Sequence, residues 1–366
     1  MEKTYKYRIY PNKKQKELIC RTFGCCRFVY NYFLEKSIND YKQDKISYNY
    51  FGACKNLTAL KQEKEWLKEP DKCALQNALK DLKDAHQYFF NGKGFPKFKR
   101  KMEHRQTYRT SCSNINIAYY NRKIKLPKLG WVRTRDKQEP LGRIINATIV
   151  KAPSGKYYVM ICCTDVVFNK YIKTQNNIGI DLGIKHFATL SNGIKINNPK
   201  FLNQSLSKLA LLQRRMSRKT IGSSNWNKAR IKVARQQEKI FNQRKDYLQK
   251  ISTKLIQQYD VICIENLKIS DMLKHGNINM NRNIFDVSWY EFTRELQYKS
   301  NWYDKKLVKV DQYFASSQIC HCCNTKSSIT KNLNVREWVC PNCKTKLDRD
   351  INAAINILNE GIKQLV

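Results

Sequence analysis

Acidic residues are scarce in this chain: 30 Asp and Glu stand against 69 Lys and Arg, a formal net charge of +39 over 366 residues. Cations in such excess repel one another in any compact state, so a polyanion is the expected partner. Histidine is scarcer still, at five. No two histidines lie two residues apart, which disfavours the His-hydrophobic-His metal site of tyrosine single-strand nucleases. There is no G-x-x-x-x-G-K-[ST] phosphate loop, which sets aside ATP-driven helicase activity, and no G-x-S-x-G motif. No run approaches the roughly 20 apolar residues of a membrane span. The opening MEKTYKYRIYPNKKQ lacks the apolar core of a signal peptide, so export is not expected. A basic membrane-surface protein would need an amphipathic basic helix without a core of its own. Here 42% hydrophobic and 11% aromatic residues supply real cores and exclude disorder as the main state. Fourteen cysteines in a long, Lys-rich, unexported chain read as thiols plus a metal site, not as disulfides.

Along the chain, TYKYRIY alternates polar and apolar residues and is closed by Pro11, which predicts a strand. From residue 13 to 92 the apolar spacing is helical, with Asp71 after Pro70 as a helix start. Residues 93–135 carry thirteen Lys and Arg against one acid, Glu103, interleaved with Phe95, Phe98, Tyr108, Tyr119, Tyr120 and Trp131. Short strand-like runs follow, including RIINATIVKA and KYYVMICCTDV around a Pro153-Ser154-Gly155 turn. They predict a β-barrel or meander that the first strand joins, with the helical block inserted. From Asn177 the pattern becomes α/β. NNIGIDLGI and DVICIENL read as buried strands, FATLS-NG-IKI as a hairpin with a two-residue Asn192-Gly193 turn, and 205–258 as long helices with fourteen Lys and Arg against two acids.

Two C-x2-C pairs, Cys320/Cys323 and Cys340/Cys343, stand sixteen residues apart, a spacing suited to a closed, structural tetrahedral zinc. Cys322 and His321 leave the first pair's ligand choice open. Two further acids, Asp181 and Glu265, lie inside runs that otherwise read as fully buried strand. A buried carboxylate without compensation is costly, so a cation or a salt bridge to a basic helix is expected there. Asp348 and Asp350 lie at the mouth of a short helix, where N-capping is the alternative reading to metal binding. Two magnesium ions held by such acids could clamp an in-line phosphoryl displacement, and manganese fits the same oxygens. The two nearly acid-free basic blocks suit phosphate backbones, and their aromatics suit stacking on unpaired bases.

Taken in order, YKYRIYPNKKQ, TFGCCRFVYNYFLE, GFPKFKRK, IKLPKLGWVRTR, PSGKYYV, GIDLGIKHFATLSNG, LQRRMSRKTIGSSNWNKAR, IENLKI, the cysteine pairs and DRDINAAINIL resemble the TnpB (OrfB) family of bacterial insertion sequences, relatives of type V CRISPR nucleases. The resemblance runs nearly end to end. It implies a multidomain α+β architecture: a RuvC/RNase H-like α/β nuclease core (173–315 and 347–366) with an inserted zinc ribbon (316–346), and a wedge β-barrel (1–12 and 93–172) interrupted by a helical recognition domain (13–92). It implies an RNA-guided DNA endonuclease that cuts double-stranded DNA beside a short element-adjacent motif. Its catalytic, magnesium-binding acids fall on Asp181, Glu265 and Asp350, with Asp348 the neighbouring alternate. Zinc falls on Cys320, Cys323, Cys340 and Cys343. Readers of the DNA motif fall on Tyr50, Lys72, Gln76 and Thr110, and backbone contacts are expected at Lys97, Lys99, Arg100, Arg214, Arg215, Arg218, Lys219 and Arg230. The expected partners are a guide RNA from the element's own end, in a 1:1 complex with a monomer, and the target DNA, in a bacterial cytoplasm at the nucleoid. A non-cutting RNA-guided or plain DNA-binding regulator is the alternative, and a strand-transferring transposase ranks below it.

Overall fold

A computed structural model of the protein describes residues 1–101, 105–112, 115–332 and 334–365. Among them the chain forms two compact units, Met1–Val167 and Phe168–Val366. No helix of the described residues is long and apolar enough to cross a membrane.

The first unit opens with β1 (Lys3–Tyr10), followed by three helices, α1 (Lys13–Asp44), α2 (Tyr50–Glu63) and α3 (Lys72–Phe90). Six strands then follow: β2 (Gln106–Ser111), β3 (Ala118–Tyr120), β4 (Lys123–Leu126), β5 (Gly130–Thr134), β6 (Arg143–Lys151) and β7 (Tyr157–Thr164). Local chemistry sets the helix ends. Asn12 and Gln15 form a reciprocal capping box on α1, and Asp71 accepts from the Ala74 amide to start α3. The seven strands form one sheet in the order β2-β6-β7-β1-β5-β4-β3. β1 therefore sits mid-sheet, antiparallel to β7 and β5, with the helices inserted after it as the hydrophobic pattern predicts. Its alternation buries Tyr5, Tyr7 and Ile9.

The second unit contains β8 (Asn177–Leu182), β9 (His186–Leu190), β10 (Lys195–Asn197), α4 (Phe201–Ser217), α5 (Ser224–Gln258) and β11 (Val261–Glu265). After these come α6 (Ile269–His275), α7 (Ile278–Val287), α8 (Trp289–Tyr303), β12 (Lys306–Val310), β13 (Glu337–Val339), β14 (Lys346–Asp348) and α9 (Arg349–Lys363). The β9–β10 connection departs from expectation. It closes over three residues, 191–193, with the Leu190 amide bonded to the Ile194 carbonyl and Gly193 at φ 87°. A glycine in the left-handed region lets a three-residue loop match the strand twist, which the two-residue reading of Asn-Gly did not allow for. The basic helical stretch is two helices, broken at residues 218–223. There Gly222 takes φ 86° and the Ser223 hydroxyl caps α5 through the Trp226 amide.

The sheet order is β10-β9-β8-β11-β12, and β11 runs parallel to both β8 and β12. Period-two alternation divides its faces. Ile178, Ile180, Ile262 and Ile264 pack with Leu248 and Leu255 of α5 and Phe292 and Leu296 of α8. On the other face Cys263, Val308 and Val310 pack with Ile357 of α9. Gly179 is what brings α9 down onto this face. A Cβ there would lie 2.0 Å from the Ala354 carbonyl oxygen.

Candidate active site and metal centre

Asp181 shares the α9 face with Gly179, and Glu265 shares it with Cys263. Ile180 is paired in register with Ile264, so the two acids, each one residue further on, occupy matching positions near the C-terminal ends of adjacent parallel strands. Asp350 enters from above, in the first turn of α9. Burial lifts the Asp181 carboxyl well above the usual carboxylate range, and the charges of Glu265 and Asp350 lift it further; Arg349 and Arg336 oppose this. Glu265 is raised by burial too, against the hydroxyl of Ser316 and the charge of Arg349.

The two aspartates of DRD have separate duties. Asp348 is the N-cap of α9. Its Oδ1 accepts from the Asp350 and Ile351 amides, each at 3.0 Å, and its Oδ2 lies 2.6 Å from Lys195 Nζ. Burial pushes this carboxyl up, but Lys195 and the two amides outweigh it and leave it below the ordinary value. Asp350 is turned toward Arg336, 3.2 Å from its Nη1. The three acids do not all lie within 4.8 Å of one another. Among the described residues, the only group of three or more potential ligands within 4.8 Å is the cysteine set.

That set is Cys320, Cys323, Cys340 and Cys343. Two matching knuckles present it. In each, the first cysteine's amide bonds to a threonine carbonyl five residues on, Thr325 or Thr345, and a left-handed residue, Asn324 or Lys344, turns the chain. The Thr325 hydroxyl and amide hold the Cys323 thiol down to about 5. Thr345 lowers Cys343 in the same way, while burial pushes Cys320 up to about 12. Trp338 and Leu347 pack against the buried pair Cys320 and Cys340. Cys322 is exposed and faces the His321 ring instead, and His321 Nδ1 lies 2.9 Å from Asn352 Oδ1 on α9. Neither belongs to the ligand set.

The basic residues separate into groups. Arg215, Arg218 and Lys219 line one concavity between α4 and α5 together with Lys228 and Lys232, which the sequence reading did not single out. Arg214 is exposed outside that lining, and Arg230 is half-buried. In the first unit Lys97 and Arg100 are exposed. Lys99 is committed to packing, its Nζ 4.0 Å from the Tyr30 ring centroid and 3.8 Å from Asp81. Lys72 and Gln76 are exposed, one turn apart on α3, and Tyr50 opens α2. Thr110 has another place. It is 1% exposed, and its hydroxyl donates to the α3 cap Asp71 at 2.6 Å.

Sequence reasoning also missed Ser316, Arg336, Arg349, Asn352 and Asn356, which surround the acids and tie the ribbon to α9. Two asparagines four apart on the otherwise apolar buried side of an amphipathic helix were the legible signal.

Carboxylates at the ends of parallel strands in an α/β unit, followed by a four-cysteine cluster and a helix that returns to the same sheet, define the class of fold. Comparison with known proteins gives the family. Residues 161–276 match the family described as "Probable transposase", residues 1–45 a helix-turn-helix domain, and residues 289–357 a Cas12f1-like TNB domain. A protein of Streptomyces pristinaespiralis is 35% identical over 99% of this chain and 90% of its own length. InsQ of Escherichia coli (strain K12) is 31% identical over 98% and 92%. Both carry the name "Putative RNA-guided DNA endonuclease". The Cas12f1 chain of a solved Cas12f1-sgRNA-target DNA complex shares the fold at a TM-score of 0.65 and 12% identity, covering 98% of this chain and 99% of that one. The chain belongs to the TnpB (OrfB) family.

Proposed function

We propose that this protein is an RNA-guided endonuclease of an insertion element, cutting double-stranded DNA beside a short motif through a RuvC-like centre at Asp181, Glu265 and Asp350. The observation that carries the reading is the crowding of these three carboxylates. Burial and mutual repulsion raise Asp181, and Arg349 and Arg336 offset the charge in part. Oxygen-only donors of this kind fit magnesium or manganese. Bound there, a pair of such ions would supply Lewis acidity and an activated water for in-line displacement at phosphorus. The chain's own part is to hold the acids on one sheet face and to set two guanidinium groups, from Arg336 and Arg349, beside them, where a phosphodiester's charge would be met. The four cysteines would hold one zinc as a closed structural site.

In this reading α1–α3 form the recognition domain, the seven-stranded sheet the wedge, and the concavity of Arg215, Arg218, Lys219, Lys228 and Lys232 a track for nucleic-acid backbone. Lys72 and Gln76, with Tyr50, would meet the DNA motif, while Thr110 sets the cap of α3, the helix that carries Lys72 and Gln76. Guide pairing would read the target sequence.

The test is to purify the chain co-expressed with its flanking DNA, sequence the RNA that accompanies it, and challenge the particle with a plasmid library in magnesium or EDTA. Discrete RNA with magnesium-dependent double-strand cuts is expected, and Asp181→Ala should abolish the cuts while RNA binding persists. Binding without cuts by the wild type would establish a regulator instead, and joined donor–target products a transposase.

A further inference from the structure

Glu265 ends β11, yet the group that fixes its carboxylate comes from 51 residues later. The Ser316 hydroxyl, in a residue only 6% exposed, donates to Glu265 Oε1 at 2.7 Å. Ser316 belongs to the short segment between β12 and the first cysteine pair. That segment is held by two side chains of α9. Asn356 Nδ2 donates to the Ser316 carbonyl at 2.8 Å and to the Ile319 carbonyl at 2.6 Å. Asn352 Nδ2 donates to the same Ile319 carbonyl at 2.7 Å, and its Oδ1 accepts the His321 amide at 2.9 Å. Both asparagines are buried. A buried amide without partners is costly, and these two are committed to the backbone of one stretch of six residues. The helix that carries Asp350 in its first turn therefore governs Glu265 as well, through residues 316–321.

We propose that Ser316 is a positioning residue that orients the Glu265 carboxylate toward a divalent cation, and that Asn356 holds Ser316 in that pose. The proposal rests on the reading of the three acids as the nuclease centre. A hydroxyl fixed on Oε1 selects one carboxylate orientation and leaves Oε2 free to ligate. Partners of this outer kind change metal affinity or activity by about 10–100-fold when removed.

The test uses the full chain in complex with its RNA. Manganese binding is followed by the electron paramagnetic resonance of free Mn2+, and the magnesium concentration for half-maximal plasmid cutting is measured separately. Ser316→Ala should weaken Mn2+ binding about tenfold or more and raise the magnesium requirement, with zinc content and RNA binding unchanged. Ser316→Thr, which keeps the hydroxyl, should recover both. Wild-type Mn2+ affinity in Ser316→Ala would overturn the proposal. So would a loss that comes with lost zinc or lost RNA binding, or one that Ser316→Thr does not recover, since either marks a merely structural residue. Asp181→Ala separates the two levels. If it binds Mn2+ as the wild type does, the reading of the acid centre fails; if it loses Mn2+ while Ser316→Ala does not, only the positioning role fails.

Discussion

Gly179→Ala tests whether the placement of α9 controls the centre. The glycine's backbone lies outside the left-handed region, so the added methyl imposes no dihedral strain and the effect is purely steric. The new Cβ would stand 2.0 Å from the Ala354 carbonyl oxygen, 2.7 Å from the Leu358 amide nitrogen and 2.8 Å from Leu358 Cβ. Two of the three are helix backbone and cannot rotate aside. Non-bonded heavy atoms settle near about 3.5 Å, so α9 and β8 must separate by more than about 1 Å. Overpacking of this kind costs about 1–3 kcal/mol. In a unit the size of Phe168–Val366 that corresponds to a fall in Tm of roughly 2–12 °C. Asp350 rides on the displaced helix, and a misplacement of about 1 Å at a reacting group costs on the order of 100-fold in rate. Calorimetry and single-turnover plasmid cleavage on the same preparation read both effects, with RNA binding as the control. A Gly179→Ala protein with wild-type Tm and wild-type cutting would show that α9 does not bear on β8 as closely as described.

Three further outcomes are expected. Asp348→Asn keeps an N-cap of similar quality, because asparagine caps about as well as aspartate, and should retain cutting, whereas Asp350→Asn should lose it; equal loss in both would remove the division of labour between them. Asp181 binds its proton more tightly folded than unfolded, so in magnesium-free buffer its contribution to stability falls as pH rises from the ordinary carboxylate value through its raised one. A Tm–pH series should therefore be flatter in that window for Asp181→Asn, and superimposable profiles would contradict the assignment. Cys340→Ser should lose the ribbon's zinc, read by metal analysis, and expose residues 316–346 to proteolysis, because closed thiolate sites contribute folding energy directly; full zinc content would exclude the four-cysteine ligation.

Much of the centre was legible in the chain. Asp181 and Glu265 stood out because each interrupts a buried strand, and the structure places them at neighbouring strand ends. The two cysteine pairs were legible from spacing alone, and β1 was assigned to its sheet by alternation and composition. The three-residue turn at 191–193 was misjudged because Asn-Gly signals a turn without fixing how many residues it spans. Helices α6 and α7, at 269–275 and 278–287, drew no reading because they are short, and α6 buries none of its residues.

Net charge, ligand-type cysteines at a fixed spacing and acids within apolar runs are additive or local properties, so the sequence by itself determined that a polyanion, a closed thiolate site and a carboxylate centre were to be expected. Which aspartate of DRD caps the helix, whether Cys322 or His321 joins the cysteine cluster, and whether Thr110 faces solvent depend on where side chains point once strands and helices are packed. Those questions were decided by tertiary structure. The approach of α9 at Gly179 and the reach of Ser316 to Glu265 across 51 residues exist only because separate elements meet, and no local pattern encodes such a meeting.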